Sequence, residues 1–217
     1  QSVTLGTLTL TDNTGVASNY SVSSATLDIN EKPISLSGTK VYDALTTAAS
    51  SALTISGTVG GQDLTLSGNG TLATGADAGT NKTINTTGLS LGDGVSGTPG
   101  TASNYSLVGG THQMSVTQQP VTISGSRFYD STTNVSSSDI NTFNNTVGGQ
   151  TLAITGSGSV STAVAGSAKT ISLGTLTLTD GTGLASNYSL SSGTFDINSR
   201  QVNICLLYTS PSPRDTM

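Results

Sequence analysis

The stretch Gly183 to Asn198, "GLASNYSLSSGTFDIN", has a near copy at residues 15 to 30, "GVASNYSVSSATLDIN", and a looser version at 101 to 110, "TASNYSLVGG". A fixed period decides the fold before any single segment does, because each repeat has to be read as one unit. Tyr20, Tyr105 and Tyr188 of the three copies stand 85 and 83 residues apart. Tyr42 in "KVYDALTT" and Tyr129 in "RFYDSTT" stand 87 apart, and "VGGQ" at 59 to 62 returns at 147 to 150. The motifs keep one order in each unit, which chance likeness between Ser/Thr-rich stretches would not preserve. The chain therefore divides into the C-terminal part of a truncated repeat (1–30), complete repeats at 31–118 and 119–200, and the first strand of another at 201–204.

Within a repeat, apolar residues alternate with Ser and Thr: Ile34 and Leu36, Leu53 and Ile55, Leu64 and Leu66, Met114 and Val116, then Val121 and Ile123, Leu152 and Ile154, Phe195 and Ile197. A period of two sends one face of a strand inward and leaves the other in water. Threonine suits the wet face, since its branched Cβ fits a pleated surface. Gly, Asn and Asp clusters supply the turns, and no segment has helical apolar spacing. The expectation is an all-β chain of tandem small β-sandwich domains, Ig-like or similar. The alternative is a β-solenoid, whose coils would recur every 20–30 residues or so rather than at this spacing.

Only 9% of the 217 residues are charged, while 72 are Ser or Thr. A net charge of −5 is too mild for disorder driven by repulsion. The seven Lys and Arg are scattered, so no basic footprint for nucleic acid exists, and no apolar run is long enough to span a membrane as a helix. Residues 205–217 break with this composition, and "CLLYTSPSPRD" at 205 to 215 resembles the translation of a sequencing adapter. They are set aside as an artefact. Cys205 then drops out of the cysteine count, and the natural sequence is expected to continue past Ile204.

The recurrent polar and aromatic residues are the candidate anchors: Asn19, Tyr20, Tyr42, Asp43, Asn104, Tyr105, Tyr129, Asp130, Asn187 and Tyr188. In so aromatic-poor a chain the tyrosines are the bulkiest core available, and a buried phenol can fix the start of a strand through its hydroxyl. The Asn before each "ASNYS" tyrosine can close a local turn. A single histidine, His112, reads as a surface strand residue with no partner for a catalytic triad. Asp12, Asp93 and Asp180 each begin a Gly-containing loop. One carboxylate per loop falls short of the six to eight oxygens calcium takes, so turn formation is the better account and no cofactor is expected.

Lys40-Val41-Tyr42-Asp43 with Thr46-Thr47, then "VGGQ", "ASNYS" and a closing "DIN" strand, resembles the YDG-type repeats of large bacterial surface adhesins, including filamentous-haemagglutinin-like exoproteins. The resemblance spans residues 1 to about 204. It implies an exported, extracellular protein at the bacterial surface whose tandem modules form a structural stalk or spacer. One departure stands out: the family's Gly after Tyr-Asp is Ala44 in one repeat and Ser131 in the other, where a Cβ would strain a positive-φ turn. The function expected is a non-enzymatic spacer with neighbouring repeats as partners. The alternative is a module that binds glycans or host protein, which should carry loops rich in aromatics or Arg.

Overall fold

The computed structural model describes residues 1–205. Its regular elements are strands and single-turn 3-10 helices, so the chain is all-β as its alternation predicts. Contacts divide it into two units. One comprises Gln1–Lys40, Thr46–Gly75 and Gly79–Ser115; the other comprises Val41–Leu45, Ala76–Ala78 and, of the described residues, 116–205.

In unit 1 a seven-stranded sheet runs, edge to edge, Thr47–Ala49, Leu64–Leu72, Gly79–Asn85, His112–Thr117, Ser35–Val41 and Leu53–Ser56, with Leu89–Asp93 also pairing Leu64–Leu72. Lys32–Pro33 lies parallel to Tyr105–Ser106, so the start of the repeat meets the strand that follows its "ASNY" turn. The alternating residues point as their period requires: Ile34, Leu36, Leu72, Ile84, Leu89 and Met114 are buried, while Thr54, Thr65 and Ser67 are exposed.

Unit 2 repeats this closure more fully. Its four-stranded sheet has the order Ile140–Asn144, Gln119–Phe128, Tyr188–Asn198, Gly166–Thr170. The middle pair is parallel, from Gln119 beside Tyr188 to Phe128 beside Asn198, with one bulge after Val121. A parallel pair cannot be joined by a tight turn; the intervening residues of the repeat make the connection. Two antiparallel ribbons complete the unit, Asn134–Ser136 with Ser157–Ser159 and Leu152–Thr155 with Thr177–Asp180. Ile123, Val135, Ile140, Val160, Ile171, Leu176, Phe195 and Ile197 form its core.

Glycine at Gly38 and Gly125 has a packing cause. A Cβ would stand 2.1 Å from the carbonyl oxygen of Ala52 at Gly38 and of Asp139 at Gly125, each in the 3-10 turn that crosses the strand. Both repeats need the bare backbone there.

Residues 1–30 depart from the sequence reading. They carry the same alternation as 174–198, yet contain no strand, only an isolated bridge between Ser2 and Thr26 and the turn Ala17–Asn19. Leu8 is 68% exposed where its counterpart Leu176 is 6%, and Ile29 is 70% exposed where Ile197 is 2%. The partner that buries 188–198 is the strand Gln119–Phe128, and residues 1–30 have no strand to play that part.

Gly125→Ala is expected to lower unfolding free energy by about 1–3 kcal/mol through overpacking, and Phe195→Ala by about 3–5 kcal/mol. Both are read from urea unfolding monitored by circular dichroism. Leu8→Ala should leave the curve unchanged.

Candidate functional site

The "ASNY" segments fold identically. Ala17–Asn19, Ala102–Asn104 and Ala185–Asn187 are single 3-10 turns in which the tyrosine N–H donates to the alanine carbonyl and the tyrosine itself is extended. The aspartates that open the Gly-containing loops stop these turns from the other side. Asp12, Asp93 and Asp180 each accept the N–H of Ala17, Ala102 and Ala185 at 2.5, 2.7 and 2.7 Å. The turn role read from the sequence thus has a named donor at each position.

Beyond the turn the tyrosine meets the second motif. The Tyr105 hydroxyl donates to Gln62 Oε1 at 2.5 Å and accepts the Val59 N–H at 3.1 Å. In unit 2 the Tyr188 hydroxyl donates to Gln150 Oε1 at 2.5 Å and accepts the Val147 N–H at 3.1 Å. "VGGQ" is therefore the receptor of the "ASNYS" phenol, a pairing that the sequence reading missed, although both motifs recur together. The glycines let the loop double back: Gly60, Gly61, Gly148 and Gly149 all have positive φ, a conformation glycine adopts without steric cost. Tyr105 and Tyr188 are buried. Tyr20 is 68% exposed, against the expectation of a core residue, because residues 1–19 hold no "VGGQ" to receive its hydroxyl.

The Tyr-Asp motif makes a tight loop. Asp43 Oδ1 accepts the Leu45 N–H at 2.9 Å and Asp130 Oδ1 the Thr132 N–H at 3.0 Å. The residue between sits in the left-handed region, Ala44 at φ 61° and Ser131 at φ 65°. The two departures from glycine keep the turn and bear its strain. Arg127 reinforces the second loop, 3.1 Å from Asp130 and 5.5 Å above the Phe195 ring. The Thr132 amide, helped by its hydroxyl and by Arg127, holds the Asp130 carboxyl below the usual carboxylate range.

Unit 2 contains both loops, and they differ in cover. Tyr42 is buried, edge-on to Tyr188 with ring centroids 5.5 Å apart, and its hydroxyl accepts the Gln150 Nε2–H at 3.0 Å. Tyr129 is 42% exposed, again unlike the core residue expected. Asn187 does not close its own turn with its side chain, as the sequence suggested. Its Oδ1 accepts the Ala78 N–H and its Nδ2 donates to Asp77, both at 2.8 Å, and the residue is 1% exposed. Asn19 and Asn104 are exposed.

His112 is half-buried rather than on the surface, its Nε2 2.6 Å from the Leu107 carbonyl oxygen. Among the described residues no three His, Cys, Asp or Glu side chains gather in one place. Of the polar groups singled out by repetition, Tyr42, Asp43, Tyr105, Asp130, Asn187 and Tyr188 hold backbone or another side chain.

Three outcomes follow from this geometry. Tyr188→Phe should cost about 1–3 kcal/mol, since the Val147 N–H and Gln150 lose a buried partner, whereas Tyr20→Phe should stay within about 0.5 kcal/mol; equal midpoints in urea would contradict the pairing. Ala44→Gly and Ser131→Gly should each stabilise by about 0.5–1 kcal/mol, the relief of left-handed strain less the entropy of glycine. Because its folded pKa is lowered, Asp130 contributes stability that is full above the ordinary carboxylate value and is lost as pH falls through the lowered one. Asp130→Asn should flatten the acid limb of a stability profile, below the ordinary carboxylate value.

No curated protein and no solved structure matches this chain. The model of the YDG domain matches it twice, at residues 30–114 and 111–195, so that each match holds one "YD", one "VGGQ" and one "ASNYS" motif. The chain belongs to the YDG domain family, with two copies of the domain in tandem.

Proposed function

We propose that the chain is a structural spacer: tandem YDG domains, each a small β-sandwich-like module, in the stalk of a large secreted or surface-anchored bacterial adhesin, with no catalytic role. One observation carries this reading. The same set of bonds, Asp to alanine amide, Tyr to Gln and Val, and Asp to its own loop amide, is built twice from matching residues. Repetition has preserved a scaffold, and the polar residues that make these bonds are engaged in holding it.

The composition supports the same reading. A surface of Ser and Thr with few charges remains hydrated without a strong field, and tandem modules add length while their stabilities sum with neighbour interactions. The reading calls for no cofactor, and its partners are neighbouring repeats. It places the protein outside the cell.

Antibody raised against the chain should label intact producing cells. The purified chain should give no saturable, selective binding on glycan arrays or on immobilised host matrix proteins. Saturable binding would replace the spacer by a glycan- or protein-binding module, and labelling only after lysis would remove the surface assignment altogether.

A further inference from the structure

We propose that the Tyr129–Asp130 loop and the neighbouring Val164–Ala165 segment form a docking surface for a further YDG domain. The incoming domain would present its Gln–Tyr–Asn corner, which in a second copy of this chain is Gln62, Tyr105 and Asn104.

Unit 2 holds two like loops in unlike surroundings. Its two Tyr-Asp loops share the Asp-to-amide bond and the left-handed third residue. Each tyrosine N–H also donates to the strand beside it, Tyr42 to Thr117 and Tyr129 to Asn198, both at 2.8 Å. One of these loops is occupied: Tyr42 lies on Tyr188 and Gln150, while Ala76–Ala78 supplies the Ala78 N–H and Asp77 to Asn187. The other is open. The "NKTI" and "AKTI" matches make Ala163–Ala165 the counterpart of Ala76–Ala78, and Val164 is 68% exposed. Tyr129, Val164, Ala165, Arg200 and Val202 line a mostly apolar hollow there.

The complementary half exists on unit 1. The turn Ala102–Asn104 has the backbone of Ala185–Asn187, and the Tyr105–Gln62 bond has the 2.5 Å length of Tyr188–Gln150, yet Asn104 is exposed where Asn187 is buried. A surface that fits another surface of the same molecule gives a heterologous, head-to-tail contact, which propagates rather than closes. The Ala165 N–H takes the part of the Ala78 N–H. Val164 stands where Asp77 does, so at this junction an apolar contact replaces one hydrogen bond. A contact confined to one loop and one short segment is weak between separate molecules, whereas covalent linkage raises the effective concentration to roughly millimolar. This inference holds whether the chain is a spacer or a binder.

The test joins residues 124–204 directly after Ile204, in place of 205–217, where "VNI" at 202–204 matches "VTI" at 121–123. In the extended chain the Ala165 amide should exchange at least tenfold more slowly by NMR, and Tyr129 should resist nitration. Unchanged exchange and nitration, with the added copy of Tyr188 protected, would overturn the proposal. Should the added domain not fold, the unextended chain provides a second test. With Cys205→Ser, the pair Asn104→Cys and Ala165→Cys should give disulfide-linked multimers under mild oxidation at high concentration. The pair Asn104→Cys and Ser138→Cys should not, and equal yields from both would sink the idea.

Discussion

A tyrosine hydroxyl taken into an apolar interior must keep a donor and an acceptor bond, and in both YDG domains it keeps them with one short loop. Val59 and Gln62 satisfy Tyr105; Val147 and Gln150 satisfy Tyr188. The rest of each domain is arranged around this bond. It fixes where the turn ends and the last strands begin, and so sets the register in which Tyr105 lies beside Lys32 and Tyr188 beside Gln119. Loss of the hydroxyl would leave buried polar groups unpaired, which costs more than the bond contributes net. That asymmetry makes the pair a constraint on the fold rather than an ornament of it.

The Tyr-Asp loop shows the opposite economy. Its left-handed residue is alanine or serine here, although glycine would adopt that conformation freely. The loop persists because the aspartate oxygen accepts the amide two residues on, and because Tyr42 and Tyr129 are tied by their N–H groups to Thr117 and Asn198. Local strain is tolerated where the surroundings over-determine the backbone. The same loop can then be buried, as at Tyr42, or left partly exposed, as at Tyr129, without changing shape.

Much of this was legible in the sequence. The period-two alternation predicted which of Ile34, Leu36, Val121, Ile123, Phe195 and Ile197 face inward, since side-chain direction along a strand follows from geometry alone. The repeat spacing locates the motifs, and a lone aspartate opening a Gly-containing loop reads as a turn former. What stayed hidden was long-range: that Gln150 receives Tyr188 across 38 residues, or that Asn187 reaches Asp77 rather than its own backbone. A glutamine in a Gly-rich loop carries no local sign of its partner. The side chain acquires a role only when the fold brings a phenol to it.

Residues 6–30 and 174–198 draw the line between the two kinds of knowledge. They differ at five positions, Asn13, Val16, Val22, Ala25 and Leu27 against Gly181, Leu184, Leu190, Gly193 and Phe195. Both form the same capped turn, because a carboxylate five residues before an amide closes it locally in either setting. The sequence by itself determined that turn, the alternation and the repeat. Burial was decided only by the tertiary structure: Tyr188 and Ile197 lie in a core and Tyr20 and Ile29 do not, because a strand hides its apolar face only when another strand and a second layer stand against it.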